Sequence, residues 1–326
     1  MNSKVIMASV AVAVCSCTGM SEETSVVNEE MVVLDFDVPC QKLSRLSGTV
    51  EEDVVEDLQI FVFGMDGQLN AYGHSESDEL TLTCSTGEKR VAALVNAPIV
   101  GSVTTETALK DLVSAFSDNS AGRFVMAGVE SVTVAKSGKV TIPVSRLVSK
   151  VILSSVKNDF ELEQHREMDF QIKSVFLTNA AKDRKYFSAS SPSGWYNKDV
   201  ADMTEIISQA GAMMYDSLGS AKVTYGSTFK SDRFLYCYPN AWSAGAAPPY
   251  MVVEALLGKT LYYYPVALPA MEANKCYSVS LTVCRPGSSA PNIPVEKVDA
   301  LFEVEVLPYI RIRCLCRRSS FDATLA

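Results

Sequence analysis

The chain has 326 residues, 48% of them hydrophobic, and a formal net charge of −9. That length and apolar content suffice for the cores of two ordinary domains without a structural metal or a disulfide framework. The acid excess argues against nucleic acid as a partner, because phosphate binding needs a basic face.

In chain order, the first element reads as an export signal. Lys4 gives a positive start, Val5 to Val14 form an apolar run, and the small Ser16 precedes Cys17. A bilayer-spanning helix needs roughly twenty apolar residues, more than this run supplies. Val14-Cys15-Ser16-Cys17 resembles a bacterial lipobox, which assigns residues 1–17 to a lipoprotein signal and the lipid to Cys17. Cys15 fits less well, since it would place the β-branched Val14 where a small residue belongs. Ser21-Glu22-Glu23 resembles the short acidic tag of surface-exposed lipoproteins. The expected destination is the cell outer membrane, with the precursor held there by its lipid.

Beyond residue 30, period-two alternation dominates, the mark of strands with one buried face. In Met31 to Val38, the side chains of Val32, Leu34, Phe36 and Val38 share one face, and Asp35 and Asp37 take the other. Leu58 to Phe63 and Val91 to Val95 are continuous apolar runs and predict fully buried strands, with a turn at Gly64 to Gly67. Leu109, Leu112, Val113 and Phe116 recur at helical spacing and predict a helix that stops before Gly122. Val129 to Ala135 and Lys139 to Val144 flank Lys136-Ser137-Gly138, which predicts a hairpin.

A second set of strands begins near Leu147. Leu147 to Val156, Phe170 to Thr178, Tyr250 to Leu257, Thr260 to Leu268, Cys276 to Cys284 and Val298 to Val306 all read as strands, with a helical stretch within Ala201 to Met214. Gly258-Lys259 is a two-residue hairpin loop. The expected architecture is all-β: two tandem β-sandwich domains, residues 18–145 and 146–309, and a tail over 310–326.

Little of the chain reads as chemistry. The nine cysteines show no zinc spacing, and Cys276 and Cys284 lie roughly 26 Å apart along one strand, too far to bond, so buried free thiols are expected. His74 and His165 are isolated in sequence. Ser154 and Lys157 have an S-x-x-K spacing without its companion motifs, and Gly258-Lys259-Thr260 lacks the earlier glycine of a phosphate loop. The run Glu51, Glu52, Asp53, Glu56 and Asp57 fits no EF-hand and reads as a solvated loop. Tyr262, Tyr263 and Tyr264 read as core and cross-strand aromatics before they read as a sugar platform. Neither catalytic residues, nor a metal, nor a cofactor is expected, and the chain does not read as an enzyme.

Several strings, in this order, resemble the Bacteroidales fimbrillins, the FimA-like pilins of type V pili. Val55-Glu56-Asp57-Leu58-Gln59-Ile60-Phe61-Val62-Phe63 with Asp66-Gly67 resembles their opening strand and turn. Ala92-Ala93-Leu94-Val95-Asn96-Ala97-Pro98 and Phe124-Val125-Met126-Ala127-Gly128 come next, and then Val140 to Val151, which resembles the segment joining the two fimbrillin domains. The loop Gly287 to Pro294 and the strand Phe302 to Val306 extend the likeness over most of the chain.

The resemblance implies two transthyretin-like sandwiches, exported as a lipoprotein and assembled into a surface fimbrium that serves adhesion. It further implies that an Arg-specific protease cuts after the first strand and that a neighbouring subunit's strand fills the freed groove. Arg45 and Leu46 flank the expected cut, and Val32, Leu34, Phe36 and Val38 are the groove-filling residues. Ile310, Ile312, Cys314 and Cys316 carry the alternation of a donor strand, although a Trp is common in fimbrillin endings near the position of Tyr309. The implied partners are other fimbrial subunits, the outer membrane, the protease and a host or bacterial surface ligand. Alternatives are a permanent edge strand at Met31 to Val38, as in a pilus anchor subunit that keeps its first strand, and a monomeric surface lipoprotein or a pilus anchor or tip adhesin that binds glycan or host protein, the monomer through Trp195 or Trp242.

Overall fold

The structure, a computed structural model, describes residues 30–39, 52–200, 203–210, 213–240, 248–295 and 299–307. In the N-terminal half, alternating and continuous apolar runs give strands β1 (Met31–Asp37), β2 (Leu58–Gly64), β3 (Leu69–Ser75), β4 (Glu79–Ser85) and β5 (Gly87–Val95). Helix α1 (Glu106–Asp111) and strands β6 (Val113–Ala115), β7 (Met126–Val134), β8 (Gly138–Thr141) and β9 (Ser145–Arg146) complete it. Five of these strands form one sheet in the order β3-β2-β5-β7-β9, and three form another in the order β4-β1-β8. The inner faces of the two sheets meet in a core that includes Leu34, Phe36, Ile60, Val62, Val91, Ala93 and Ile142.

The C-terminal half contributes β10 (Ser149–Asn158), α2 (Glu163–Arg166), β11 (Phe170–Thr178), β12 (Ala180–Ala181), β13 (Asp183–Lys185), β14 (Trp195–Tyr196), α3 (Met203–Ala210), β15 (Tyr215–Lys222) and β16 (Thr228–Cys237). It ends with β17 (Tyr250–Leu257), β18 (Thr260–Ala267), β19 (Cys276–Val283) and β20 (Ala300–Leu307). Two four-stranded sheets result, β16-β10-β19-β20 and β15-β11-β17-β18. Val151, Leu153, Val279 and Leu281 of one belong to the same buried cluster as Ile172, Val175, Met251 and Val253 of the other. The fold is all-β and built from stacked sheets, as the alternation predicts.

That cluster does not stop at the second sandwich. Phe61, Phe63, Ala92 and Leu94, which face away from the first core, belong to it together with Phe124, Tyr236 and Tyr238. The rings of Phe124 and Tyr236 lie 4.6 Å apart, and the buried Tyr238 hydroxyl lies 2.7 Å from Ser114 Oγ and accepts from Asn119 Nδ2 at 2.9 Å. A short pairing of β6 with β13 adds a backbone link between the halves.

Three sequence expectations change. β7 and β8 are not a hairpin: β7 stays in the five-stranded sheet, while β8 crosses to the other sheet and runs parallel to β1. The helix predicted through Phe116 ends at Asp111, because Leu112 is extended and Val113–Ala115 is drawn into the pairing with β13. Strand β1 is not an edge strand, since it is bonded on both sides. The hairpin at Gly258-Lys259 is present, with Gly258 at φ 63°. Among the described residues Cys84, Cys237 and Cys276 are buried free thiols and Cys284 is a half-buried one. No helix among the described residues is long and apolar enough to cross a membrane.

Candidate functional site

Strand β1 lies between β4, antiparallel, and β8, parallel. Val32, Leu34, Phe36 and Val38 are all buried, and Leu34 and Phe36 are almost fully so. The register sets Leu34 opposite Leu82 on one side and Gly138 on the other, and Phe36 opposite Leu80 and Val140. Leu58, Ile60 and Val62 of β2 and Val91, Ala93 and Val95 of β5 belong to the core that this face of β1 completes. Burying such side chains is worth about 1.5 to 3 kcal/mol each, so the four together contribute about 6 to 12 kcal/mol. That is comparable to the whole stability of a typical domain, about 5 to 15 kcal/mol. The groove needs an occupant.

The outward face and the ends of β1 are held by weaker polar contacts. Val33 N donates to Ser137 Oγ at 3.1 Å, Thr81 Oγ1 donates to Asp35 at 2.7 Å, and Lys139 pairs with Asp37 at 3.3 Å. At the start, Thr86 N donates to the Glu30 carbonyl at 2.8 Å. At the finish, Ile142 N donates to the Asp37 carbonyl at 2.9 Å and Val144 N to the Pro39 carbonyl at 3.2 Å.

Arg45 and Leu46 lie outside the described residues, as do Cys17, the Ile310, Ile312, Cys314 and Cys316 set, and Trp242. The chain is described again from Glu52, and there it is pinned. The fully buried Arg146 guanidinium donates through Nε to the Glu52 carbonyl at 2.9 Å and through Nη1 to Asn274 Oδ1 at 2.8 Å, and it pairs with the Asp53 carboxylate. Lys150 Nζ lies 2.6 Å from the Glu52 carboxylate, which also accepts from the Tyr236 hydroxyl at 2.6 Å. Burial, reinforced by the Glu52 charge, pushes the Tyr236 phenol far above its ordinary range, so it stays a hydrogen-bond donor.

A few residues further on, Asn96 takes over. Its Oδ1 accepts from the backbone N–H of Glu56 at 2.9 Å and of Asp57 at 3.3 Å, and its Nδ2 donates to the carbonyls of Val54 at 2.8 Å and Phe124 at 3.0 Å. Asn96 is buried at φ 55°, a left-handed conformation that Asn tolerates better than most residues. Glu52 and Asp53 are therefore not a solvated loop. They are docked on β9, β10 and β16, where buried cations need partners.

In the sequence Asn96 and Arg146 stand inside the fimbrillin-like strings, and nothing in those strings reveals their roles as anchors. The available signal was an arginine and a lysine, Arg146 and Lys150, set in an otherwise apolar stretch. Elsewhere, His74 on β3 contacts the Asp57 carboxylate, and Ser154 donates to the Val279 carbonyl at 2.8 Å. Tyr263 and Tyr264 are buried, and Tyr264 donates to the Arg285 carbonyl at 3.1 Å. Trp195 is half-buried beneath Lys198 Nζ, 4.9 Å from its ring.

Residues 43–164 match the family model of the major fimbrial subunit protein (FimA). The fimbrillin resemblance of the sequence is thereby borne out. The matched segment contains Glu52, Asp53, Asn96, Arg146 and Lys150 of the set that pins the chain at the entry to β2, while Tyr236 and Asn274 lie beyond it. Among solved structures, a candidate cell adhesion protein from Parabacteroides distasonis superposes with a TM-score of 0.66 at 14% identity, over 86% of this chain and 98% of that one. A fimbrilin (FimA) from Porphyromonas gingivalis gives 0.61 at 13% identity over 86% and 98%. The tip fimbrial protein Mfa3 from the same organism gives 0.52 at 12% identity over 85% and 99%. At these identities the likeness is one of fold, the fimbrillin fold. No curated protein matches the chain.

Proposed function

We propose that this chain is a fimbrial subunit, a structural pilin without catalytic activity, in which β1 is a temporary plug. It is exported as a lipoprotein anchored through Cys17 in the outer membrane. An Arg-specific protease cuts between Arg45 and Leu46, β1 leaves with the lipid, and a strand from another subunit takes its place in a surface fimbrium that serves adhesion.

The observation that carries this reading is the position of β1 as the middle strand of its sheet, with four apolar side chains in one core. Its loss opens two ladders of backbone donors and acceptors and one apolar trough, which together specify an extended, alternating replacement. The docking of Glu52 and Asp53 on Arg146 and Lys150 confines the change. A cut after Arg45 separates everything before it, while the chain from Glu52 onward keeps its own anchors. Ile310, Ile312, Cys314 and Cys316 supply a tail of the required alternation.

Digestion of the precursor with an Arg-specific protease tests the proposal. A new N-terminus at Leu46 and detergent-resistant ladders support it. An intact Arg45 under conditions that cut exposed arginines elsewhere, or a cleaved protein that stays monomeric, contradicts it.

A further inference from the structure

Strand β20 ends the sheet β16-β10-β19-β20, and among the described residues only β19 pairs with it. Its core-facing row starts well packed, with Ala300 at 1% exposure and Val304 against the buried cluster. Phe302 and Val306 belong to the same row, yet they are 42% and 51% exposed, and Leu301 on the other face is 58% exposed. Apolar side chains left open beside an unpaired ladder of backbone donors and acceptors make an edge that another strand can complete.

The outer face of β20 carries Glu303 and Glu305, both exposed. A second copy of β20 laid antiparallel along this edge about Val304 would set Glu303 of each against Glu305 of the other, and like charges directly opposite are unfavourable. The strand that fits has apolar side chains on one face and cations on the other. Such a strand follows in the same chain. Pro308, which cannot donate to a ladder and marks a reversal, comes directly after Leu307, and beyond it Ile310, Ile312, Cys314 and Cys316 alternate with Arg311, Arg313 and Leu315.

We propose that residues 310–316 fold back antiparallel along β20 and extend its sheet by one strand. With Arg311 opposite Glu305, Arg313 falls opposite Glu303 and Leu315 opposite Leu301, all on the outer face. The same register sets Ile310 beside Val306, Ile312 beside Val304 and Cys314 beside Phe302 on the core face. A slip of one residue breaks both matches, because it turns the arginines toward the core row. The strand that covers Phe302 and Val306 is also the donor of the proposed assembly, and it cannot serve in both places at once. That last consequence alone rests on the proposed function: the hairpin holds the donor in reserve on its own subunit until an open groove is offered.

Peptide-resolved hydrogen exchange on the uncleaved full chain tests this. Residues 300–307 should be protected, and Arg311→Glu combined with Arg313→Glu should speed their exchange by about tenfold, as should Ile312→Asp. Glu303→Arg combined with Glu305→Arg should do the same, and both charge reversals together should restore protection. These positions lie on the exposed face of β20 or beyond it, so the fold itself is not at risk. Exchange that ignores both the arginine reversal and Ile312→Asp, or a combined reversal that restores nothing, would overturn the hairpin. Protection that grows with protein concentration would overturn it too, by assigning the strand to a second molecule. Since β1 stays in place throughout, this result and the appearance of ladders after cleavage can fail separately.

Discussion

Arg146 and Asp53 form an ion pair at the junction of the two halves, with the guanidinium fully buried and the carboxylate on the stretch that leads into β2. A charge placed there is stable only while its partners are present. Arg146→Ala takes the donor from buried Asn274 Oδ1 and from the Glu52 carbonyl, while the partly exposed Asp53 carboxylate keeps water, and leaving a buried acceptor unsatisfied costs about 1 to 3 kcal/mol. Urea titration should show a midpoint lowered accordingly. A midpoint within error of the wild type would mean that the junction is held by its apolar contacts alone.

The core face of β1 predicts a graded series. Leu34→Ala and Phe36→Ala should each destabilise the precursor by about 2 to 5 kcal/mol, whereas Val33→Ala, on the exposed face, should stay within about 0.5 kcal/mol. Once proteolysis has removed β1, these substitutions leave with it and the remaining protein should match the processed wild type. A chemical-denaturation series on the precursor checks the gradient, and equal effects at positions 33 and 34 would contradict the register.

Alkaline pH should weaken the fold. Burial pushes the Cys237 thiol up to about 12, and burial also pushes the Tyr238 phenol up to about 12, from ordinary values of 9.0 and 10.0. Both groups are held neutral in the folded state and ionise more readily when unfolded. Their contribution is therefore fully present below the ordinary values and is lost as pH rises toward 12. Melting temperature measured across that range should fall steadily, and Tyr238→Phe should flatten part of the decline.

The same burial governs thiol reactivity. Thiolate is the reactive form, so peptide-mapped alkylation of the native protein should label Cys284 well before Cys84, Cys237 or Cys276. Rapid labelling of Cys237 without unfolding would show that the packing around Tyr238 opens readily.

How much of this was legible in the sequence differs by element. Alternation in Met31 to Val38 identified the buried face of β1, because each side chain's destination there is set by the two-residue repeat alone. Its place in the middle of a sheet was not legible, since its partners on β4 lie 42 to 54 residues away and those on β8 lie 104 away. The turn at Lys136-Ser137-Gly138 misled for a related reason: local turn chemistry is the same whether the chain folds back within a sheet or crosses to another. At Leu112 a helical repeat yielded to pairing with β13. Arg146 was missed because a cation near a strand end reads as solvated until the groups packed around it are known.

The most direct test of β1 as a replaceable plug is competition during assembly. Precursor is digested with an Arg-specific protease in the presence of excess synthetic peptide spanning residues 30–39, and ladder formation is tracked on denaturing gels. The account predicts that the peptide suppresses the ladders in proportion to its concentration, and that the same peptide carrying Phe36→Asp does not. Ladders of undiminished length with the native peptide would contradict it.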